Sequence, residues 1–310
     1  MKFLVTGGAG FIGSHIVESL VNNGDKVRVI DDLSSGRIEN LESVRGKIEF
    51  IEGDIRDKGQ GTRVMQGIDY VLHQAALRSV PKSLGNPKLY NDVNINGTLN
   101  ILTAAKEARV KRVVFASSSS IYGETKTLPS KEDFYPLLIS PYALTKLAGE
   151  YYCRIFSEIY GLETASLRYF NVFGPRQSLE NEYAVVIPKF ITCILKDEQP
   201  PVHGDGKQTR DFTYVENVVQ ANIKAATAPG IKCEVFNIAC GKAYSVLDIV
   251  KYTNKILKKD IKPKLGPIRP GDVKHTLADI SKAKKLLKFD PKVSFEEGLA
   301  KTVEYFKSVT

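Results

Sequence analysis

The chain has 310 residues, 25% of them charged and 43% hydrophobic, with a formal net charge of +9. This is the composition of a soluble globular protein, long enough for one large domain or two moderate ones. No apolar run approaches the roughly 20 residues that span a bilayer, and the first residues read as a strand rather than a secretory leader.

Four cysteines, Cys153, Cys193, Cys233 and Cys240, lack the close spacing of metal ligands. Buried free thiols in a reducing cytoplasm are expected, and no metal site. Much of the positive excess lies between Lys251 and Lys292. Those lysines recur at intervals on amphipathic segments such as Ser281-Lys-Ala-Lys-Lys-Leu-Leu-Lys288, with no aromatic side chains interleaved. That pattern is a solvated face and not a nucleic-acid surface.

The chain opens with Phe3-Leu-Val-Thr-Gly-Gly-Ala-Gly-Phe-Ile-Gly-Ser14, an apolar strand running into Gly7, Gly10 and Gly13. Phe11, Ile12, His15, Ile16, Leu20 and Val21 then follow a helical period. Strand, glycine turn and helix form a dinucleotide fingerprint: Gly7 permits the turn, Gly10 lets backbone approach a phosphate, and Gly13 lets the helix sit close on the sheet. The free amides of the helix start suit a pyrophosphate. A second strand, Lys26-Val-Arg-Val-Ile-Asp31-Asp32, ends in two aspartates. A carboxylate there accepts ribose hydroxyls and repels a 2′-phosphate, so Asp31 favours NAD over NADP; Arg37 nearby weakens that exclusion.

Short β-rich runs follow at Ile48–Ile51, Tyr70–His73, Val113–Ala116 and Thr164–Leu167, with helical spacing at Leu99–Ala108 and Ala143–Ile159. The alternation predicts an α/β fold, a Rossmann-like doubly wound parallel sheet. After about Tyr169 turns become frequent, which predicts a smaller mixed domain covering the strand ends where ligands bind. Residues 1–168 are the expected NAD-binding unit and 169–310 the substrate-binding unit. Tyr214–Ile238 again reads as helix then strand and is expected to fold back onto the first unit.

Two segments carry chemistry. Val114–Gly123 runs from a strand into the serines 117–120, and Tyr142-Ala-Leu-Thr-Lys146 opens a helix after Ser140-Pro141. Positions i and i+4 share a helix face, which puts the Lys146 ammonium beside the Tyr142 phenol. A phenol titrating near 10 is a poor base at neutral pH; an adjacent cation favours its ionised form. A serine hydroxyl can share the same substrate proton. Such a Tyr/Lys pair alone is common; behind a glycine turn, an acid and a serine strand it reads as a proton and hydride site.

Over essentially its whole length the chain resembles the extended short-chain dehydrogenase/reductases of the nucleotide-sugar epimerase/dehydratase group. Its nearest likeness there is to the UDP-N-acetylglucosamine 4-epimerase branch, related to UDP-galactose 4-epimerase. The resemblance rests on Thr6-Gly-Gly-Ala-Gly-Phe-Ile-Gly13, Asp54-Ile55, His73-Gln-Ala-Ala76, Asn94-Ile-Asn-Gly97, Ser117–Ser120, Tyr142…Lys146, the run from Leu167 to Gln177, Gly206…Arg210-Asp-Phe and Arg269-Pro-Gly-Asp272. It implies a shuttle without net redox. Tyr142 takes the proton of the sugar 4-hydroxyl, a 4-keto sugar forms and turns over, and reduction occurs on its other face. Lys146 would hold the nicotinamide ribose. Ser118 matches the family's catalytic serine, with Ser119 and Ser120 left open by the register. Asp54 and Ile55 would meet the adenine, and Asn94 and Arg78 the middle of the cofactor. Phe11, Ile12, Asp32, Gln74, Ala75, Ala76 and Tyr169 complete that site. Asn171, Arg210, Arg269 and Asp272 would hold the UDP, with Gln177 and Val185 also on the substrate side.

Dehydratases of this group carry an Asp-Glu pair, and the decarboxylases a glutamate, where this chain has Ser119-Ser120. An epimerase, an isomerase with resident NAD, is therefore the implied activity. In the epimerases a tyrosine at one pocket position restricts the sugar; the equivalent here is Thr276, small enough for a 2-acetamido group. UDP-GlcNAc and UDP-GalNAc are the implied substrates, with UDP-Glc and UDP-Gal alongside. Arg78 and Val185 depart from the acetyl-sugar branch, where glycine and alanine stand. Arg78 is closer to the lysine of the UDP-galactose branch and also suits a uronate carboxylate, which keeps UDP-glucuronate or its N-acetyl form open. A non-catalytic NAD-binding protein on the same scaffold is the other alternative, against which Tyr142, Lys146 and the serines speak. The resemblance also implies a homodimer through the two long helices of the first unit.

Overall fold

The structure, a computed structural model, describes residues 1–178, 186–267 and 273–309. Seven strands form one sheet. They are β1 (Lys2–Thr6), β2 (Lys26–Asp31), β3 (Ile48–Glu52), β4 (Tyr70–His73), β5 (Arg112–Ser118), β6 (Glu163–Tyr169) and a seventh strand, Cys233–Ile238. Their order is Cys233–Ile238, β6, β5, β4, β1, β2, β3, and every neighbour is parallel.

Strand β1 shows why the sheet is two-sided. Phe3, Leu4 and Val5 are fully buried. Phe3 and Val5 join one core with Ile16, Val17 and Leu20 of the helix Phe11–Asn22, while Leu4 joins another with Val64, Ile101 and Phe156. Alternate residues point to opposite faces, so a strand covered on both sides reads as continuously apolar. Helices Phe11–Asn22 and Val215–Thr227 cover the first face; Lys58–Met65, Gly97–Glu107 and Pro141–Tyr160 cover the second. The short helix Ser281–Leu287 also lies on the first face: Ala283, Leu287 and Phe289 enter its core while Lys284, Lys285 and Lys288 stay exposed.

A second core gathers Phe173, Phe190, Ile191, Tyr214, Tyr244, Ile249, Phe295, Leu299 and Phe306. It is built by helices Val186–Leu195, Val246–Leu257 and Phe295–Val309 around short strand pairs such as Thr209–Asp211 with Ala243–Ser245. Strand order reverses between β1 and β4, and at such a point the two crossovers diverge and leave a crevice at the carboxyl ends. Among the described residues no helix is long and apolar enough to cross a membrane. Cys153 is buried, whereas the other three cysteines, expected to be buried, are partly exposed free thiols.

Candidate active site

Gly7 sits at φ +67°, and a Cβ there would lie 2.7 Å from the Ala75 nitrogen. Gly13, in the first helical turn, has no room at all: its Cβ would stand 2.1 Å from the Gly7 carbonyl oxygen. Gly10 caps the helix Phe11–Asn22 without a side chain, so no cap occupies the first amides.

Asp31 at the end of β2 is buried, and burial raises its pKa. Its two oxygens accept from the amides of Ala9 and Leu33, both at 2.9 Å, so it braces the glycine turn as well as facing the cleft. Asp32 accepts from Ser34 N and Oγ. Asp54 is paired with Arg56, whose guanidinium holds the carboxyl below the usual range.

These groups open on a cleft of about 880 Å³. Its walls contain Gly7, Gly10, Phe11, Ile12, Gly13, Asp31, Asp32, Asp54, Ile55, Gln74, Ala75, Ala76, Arg78, Ser118, Ser119, Ser120, Tyr142, Lys146, Tyr169, Asn171, Gln177, Arg210 and Thr276. Among the described residues the only carboxylates in the wall are Asp31, Asp32 and Asp54. Asn94, expected at the cofactor, is not in it. It is 2% exposed, and its amide clamps Leu77 (Oδ1 accepting from Leu77 N at 2.8 Å, Nδ2 donating to Leu77 O at 3.0 Å) and donates to Thr145 Oγ1. A carboxamide satisfied on both ends by one backbone residue supports the wall from behind. Val185, Arg269 and Asp272 lie outside the described residues.

The helix Pro141–Tyr160 starts where Ser140 accepts from Ala143 N (3.2 Å) and Pro141 supplies a preset φ. Tyr142 and Lys146 therefore fall in its first two turns. Lys146 Nζ donates to the Ala116 carbonyl at 2.8 Å, and lies 5.1 Å from the Phe115 ring centroid and 5.9 Å from that of Tyr142. The shared helix face exists and the ammonium lies over the Tyr142 ring, while its hydrogen bond goes to the β5 carbonyl. The side chain turns inward to the β5 carbonyl, where burial lowers its pKa to about 7. Burial raises the pKa of Tyr142, while the Ser118 hydroxyl and the Arg78 charge pull it down.

The four serines are distinct in space. Ser117 Oγ donates to Glu150 at 2.5 Å. Ser118 Oγ accepts from Ser120 N and acts on the Tyr142 phenol. Ser120 Oγ is buried with no protein partner among the described residues. Behind them Glu150 and Arg168, both buried, form an ion pair at 2.8 Å. Arg168 also donates to Tyr122 Oη (2.9 Å), which donates to Asn237 Oδ1 (2.6 Å). This brace was missed from sequence; a glutamate on a buried helix face and an arginine inside a buried strand were its signals. His73 is another brace: it bonds Thr6 and Thr98 hydroxyls, and burial holds it neutral with a pKa of about 3.

At the far wall Thr276 Oγ1 accepts from Asn171 Nδ2 (3.2 Å) and Asp211 N (3.3 Å). Arg210 donates to the carbonyls of Thr209 and Lys274. Gln177 Nε2 donates to Val172 O, while its Oε1 is buried with no protein partner among the described residues. Tyr169 Oη donates to Asn222 and Gln74.

The sequence matches the family model described as GDP-mannose 4,6 dehydratase over residues 4–302. A putative UDP-glucose 4-epimerase of Methanocaldococcus jannaschii is 40% identical over 310 residues, covering 98% of each chain. The solved structure of a UDP-N-acetylglucosamine 4-epimerase from Methanobrevibacter ruminantium, in complex with UDP-N-acetylmuramic acid, superposes with a TM-score of 0.96 at 44% identity, covering 100% of this chain and 99% of that one. A UDP-glucuronic acid 4-epimerase from Bacillus cereus, bound to UDP-glucuronic acid and NAD, gives 0.93 at 35% identity with both chains fully covered. A dinucleotide-type cleft, a serine–tyrosine–lysine cluster in its wall and full-length likeness to these enzymes place the chain in the NAD-dependent epimerase/dehydratase family.

Proposed function

We propose that this chain is an NAD-dependent UDP-sugar 4-epimerase, an isomerase, acting on UDP-GlcNAc and UDP-GalNAc and also on UDP-Glc and UDP-Gal. One observation carries the reading. Ser118, Tyr142 and Lys146 converge on a cleft whose described carboxylates all stand on Asp31, Asp32 and Asp54, on the side of the glycine turn. Proton and hydride chemistry is provided for, and among the described residues the acid–base carboxylate pair of an elimination is not.

The dinucleotide fits because backbone, not side chain, forms the turn: a Cβ at Gly7 or Gly13 would collide with it. Gly7, Gly10, Phe11, Ile12 and Gly13 would hold the pyrophosphate, Asp31 and Asp32 the ribose, Asp54 and Ile55 the adenine, and Gln74 to Ala76 with Tyr169 the remainder. NAD when bound supplies a hydride acceptor and donor for C4 of the sugar. Tyr142 accepts the 4-hydroxyl proton and would return it to that same oxygen when the turned-over keto sugar is reduced on its other face. Ser118 holds that same oxygen, and Lys146 orients the ribose. Asn171, Gln177, Arg210 and Thr276 bind the UDP-sugar, with Ser119 and Ser120 lining the turning space.

Residues 1–168 with 214–238 form the cofactor unit and 169–310 the substrate unit in this reading. The helix Pro141–Tyr160 exposes Leu144, Tyr151, Ile155, Ile159 and Tyr160. A second copy would cover that stripe together with helix Gly97–Glu107, giving a homodimer. Four unpaired thiols suit a cytoplasmic setting. A UDP-uronate is the second reading of the substrate, favoured by Arg78, a cation exposed in the cleft.

Purified protein incubated with UDP-GlcNAc and no added cofactor is expected to yield the C4 epimer, read by chromatography of the released sugars. Tyr142→Phe is expected to keep bound NAD and lose turnover by about 10²–10⁴-fold. No epimer from any UDP-hexose, or an active Tyr142→Phe, overturns the reading.

A further inference from the structure

We propose that Arg176 is a positioning residue for the UDP-sugar: paired with Glu18, it latches segment 171–177 onto the helix that begins at the glycine turn. The role rests on the reading of Asn171 and Gln177 as substrate contacts.

Segment 171–177 leads from the end of β6 towards the second core, and Asn171, Val172 and Gln177 line the cleft on the way. Its φ is +36° at Asn171, +155° at Gly174 and +65° at Arg176. Asparagine tolerates positive φ. An arginine seldom adopts it, and holds it where the surroundings over-determine the backbone. The first end of the segment is set by the substrate wall: Asn171 O accepts from Thr213 N at 3.3 Å, and Asn171 Nδ2 donates to Asp211 O and Thr276 Oγ1. At the other end Gln177 Nε2 donates to Val172 O at 3.0 Å, while its buried Oε1 has no protein partner among the described residues. That acceptor suits a donor on the ligand, and its place in the cleft depends on how Pro175 and Arg176 are held.

One side of the helix Phe11–Asn22 holds them. Ser14 and Glu18 are four positions apart and His15 lies three before Glu18, so all three look the same way. Glu18 Oε2 accepts from Arg176 Nη2 at 2.8 Å, Ser14 Oγ accepts from Arg176 Nη1 at 3.4 Å, and His15 Nε2 donates to Pro175 O at 3.0 Å. The ion pair is shielded, with side-chain exposures of 18% for Arg176 and 30% for Glu18, so solvent screens it less than an open surface pair. The second oxygen of Glu18 accepts from Ser43 Oγ at 2.9 Å, which fixes the carboxylate. His15 meets Phe11 of the cleft wall edge-on, with ring centroids 6.0 Å apart. The helix whose first turn would carry the pyrophosphate thus also carries the outer side of the substrate segment. Without the ion pair Arg176 can leave its φ, and the placement of Gln177 that suits the ligand becomes one of several. Apparent affinity then falls by the fraction of chains still in that placement. Tyr142 and Ser118 stand on other elements and keep their geometry.

The test is a double-mutant cycle on the NAD-loaded protein: parent, Arg176→Met, Glu18→Ala and the two together, with kcat and KM for UDP-GlcNAc, the Kd of UDP by calorimetry, and bound NAD counted in each. If one chain in ten keeps the competent placement, KM and Kd rise about 10-fold in either single variant. The double variant is expected to rise no further, because both changes remove the same contact. NAD content is expected to stay at the parent's level and kcat within about 3-fold of it, a split that general loosening of the fold would not give. Arg176→Lys, which keeps the charge and loses the fork, is expected between parent and Arg176→Met. Unchanged KM and Kd overturn the proposal. So do rises that add up in the double variant, which mean that the two residues act separately, and a rise that comes with lost NAD, which means that the contact serves the cofactor helix. Should Arg176→Met fail to fold, Glu18→Ala and Arg176→Lys carry the same test. A parent that yields no C4 epimer from any UDP-hexose would sink the epimerase reading instead, and the Kd of UDP would still decide the latch.

Discussion

Lys146 donates to the carbonyl of Ala116 at 2.8 Å, joining the second turn of the helix Pro141–Tyr160 to the buried C-terminal half of β5. Folding thereby encloses an amine whose pKa falls from 10.5 to about 7. Between those values the unfolded chain binds a proton that the folded chain does not. Stability of the nucleotide-free protein should therefore rise with pH across that window, by up to about 1.4 kcal/mol per pH unit from this group. Asp211, raised to about 7 by burial, acts in the opposite sense and below that window. Denaturant titrations at several pH values compare the parent with Lys146→Met, in which the rise should vanish; an unchanged slope removes Lys146 as its source.

Glu150 and Arg168 are the second prediction. The pair is buried, hydrogen-bonded to Ser117 and Tyr122, and lies directly behind Ser118. Removing one partner strands the other charge, which costs about 3–5 kcal/mol. Arg168→Met and Glu150→Gln should each lower the denaturation midpoint strongly, and the double variant should recover part of the loss. Additive losses would show that the two residues do not act as a pair.

Much of this was legible in sequence because the signals are local. The β1 apolar run, the glycine turn and the Tyr142/Lys146 spacing are properties of neighbouring residues. The serine register was not, because the four hydroxyls differ only in what lies behind them. Ser117 and Ser118 are consecutive on a strand and point to opposite sides; the Glu150 carboxylate decides which side is which, and it arrives from a helix 33 positions on. Asn94 was misplaced for the same reason. Its partner is Leu77, brought to it by a crossover, and a carboxamide in a motif looks alike whether it touches ligand or backbone. The helix Ser281–Leu287 reads as a basic solvated face, which it has, but its docking on the sheet depends on Ala283 and Leu287 meeting a surface far away in sequence.

The glycine turn yields a sharp steric prediction. Gly13→Ala puts a Cβ 2.1 Å from the Gly7 carbonyl, a contact no backbone tolerates unmoved, and the shift falls on the turn that would carry the pyrophosphate. Bound NAD after purification should drop well below that of the parent, read from the nucleotide released on denaturation. Gly24→Ala, where a Cβ meets nothing within 4 Å but φ is +81°, should cost stability with NAD retained. Equal NAD retention in the two variants would show that close packing at Gly13 does not shape the cofactor site.

Thr276 separates size from bonding. Its hydroxyl accepts from Asn171 and from the Asp211 amide, and its small side chain leaves room in the cleft. Thr276→Tyr should lower kcat/KM for UDP-GlcNAc by about 10-fold or more relative to UDP-Glc, since filling a pocket by a few heavy atoms discriminates by about 1–3 kcal/mol. Thr276→Val keeps the size and removes the acceptor, leaving Asn171 Nδ2, among the described residues, with the Asp211 carbonyl at 3.2 Å. It should weaken both substrates alike and leave their ratio unchanged. Relative rates on the two substrates for the parent and both variants decide the matter. A ratio that moves with Val as much as with Tyr would mean that the hydroxyl, through Asn171, and not the vacant volume, admits the acetamido group.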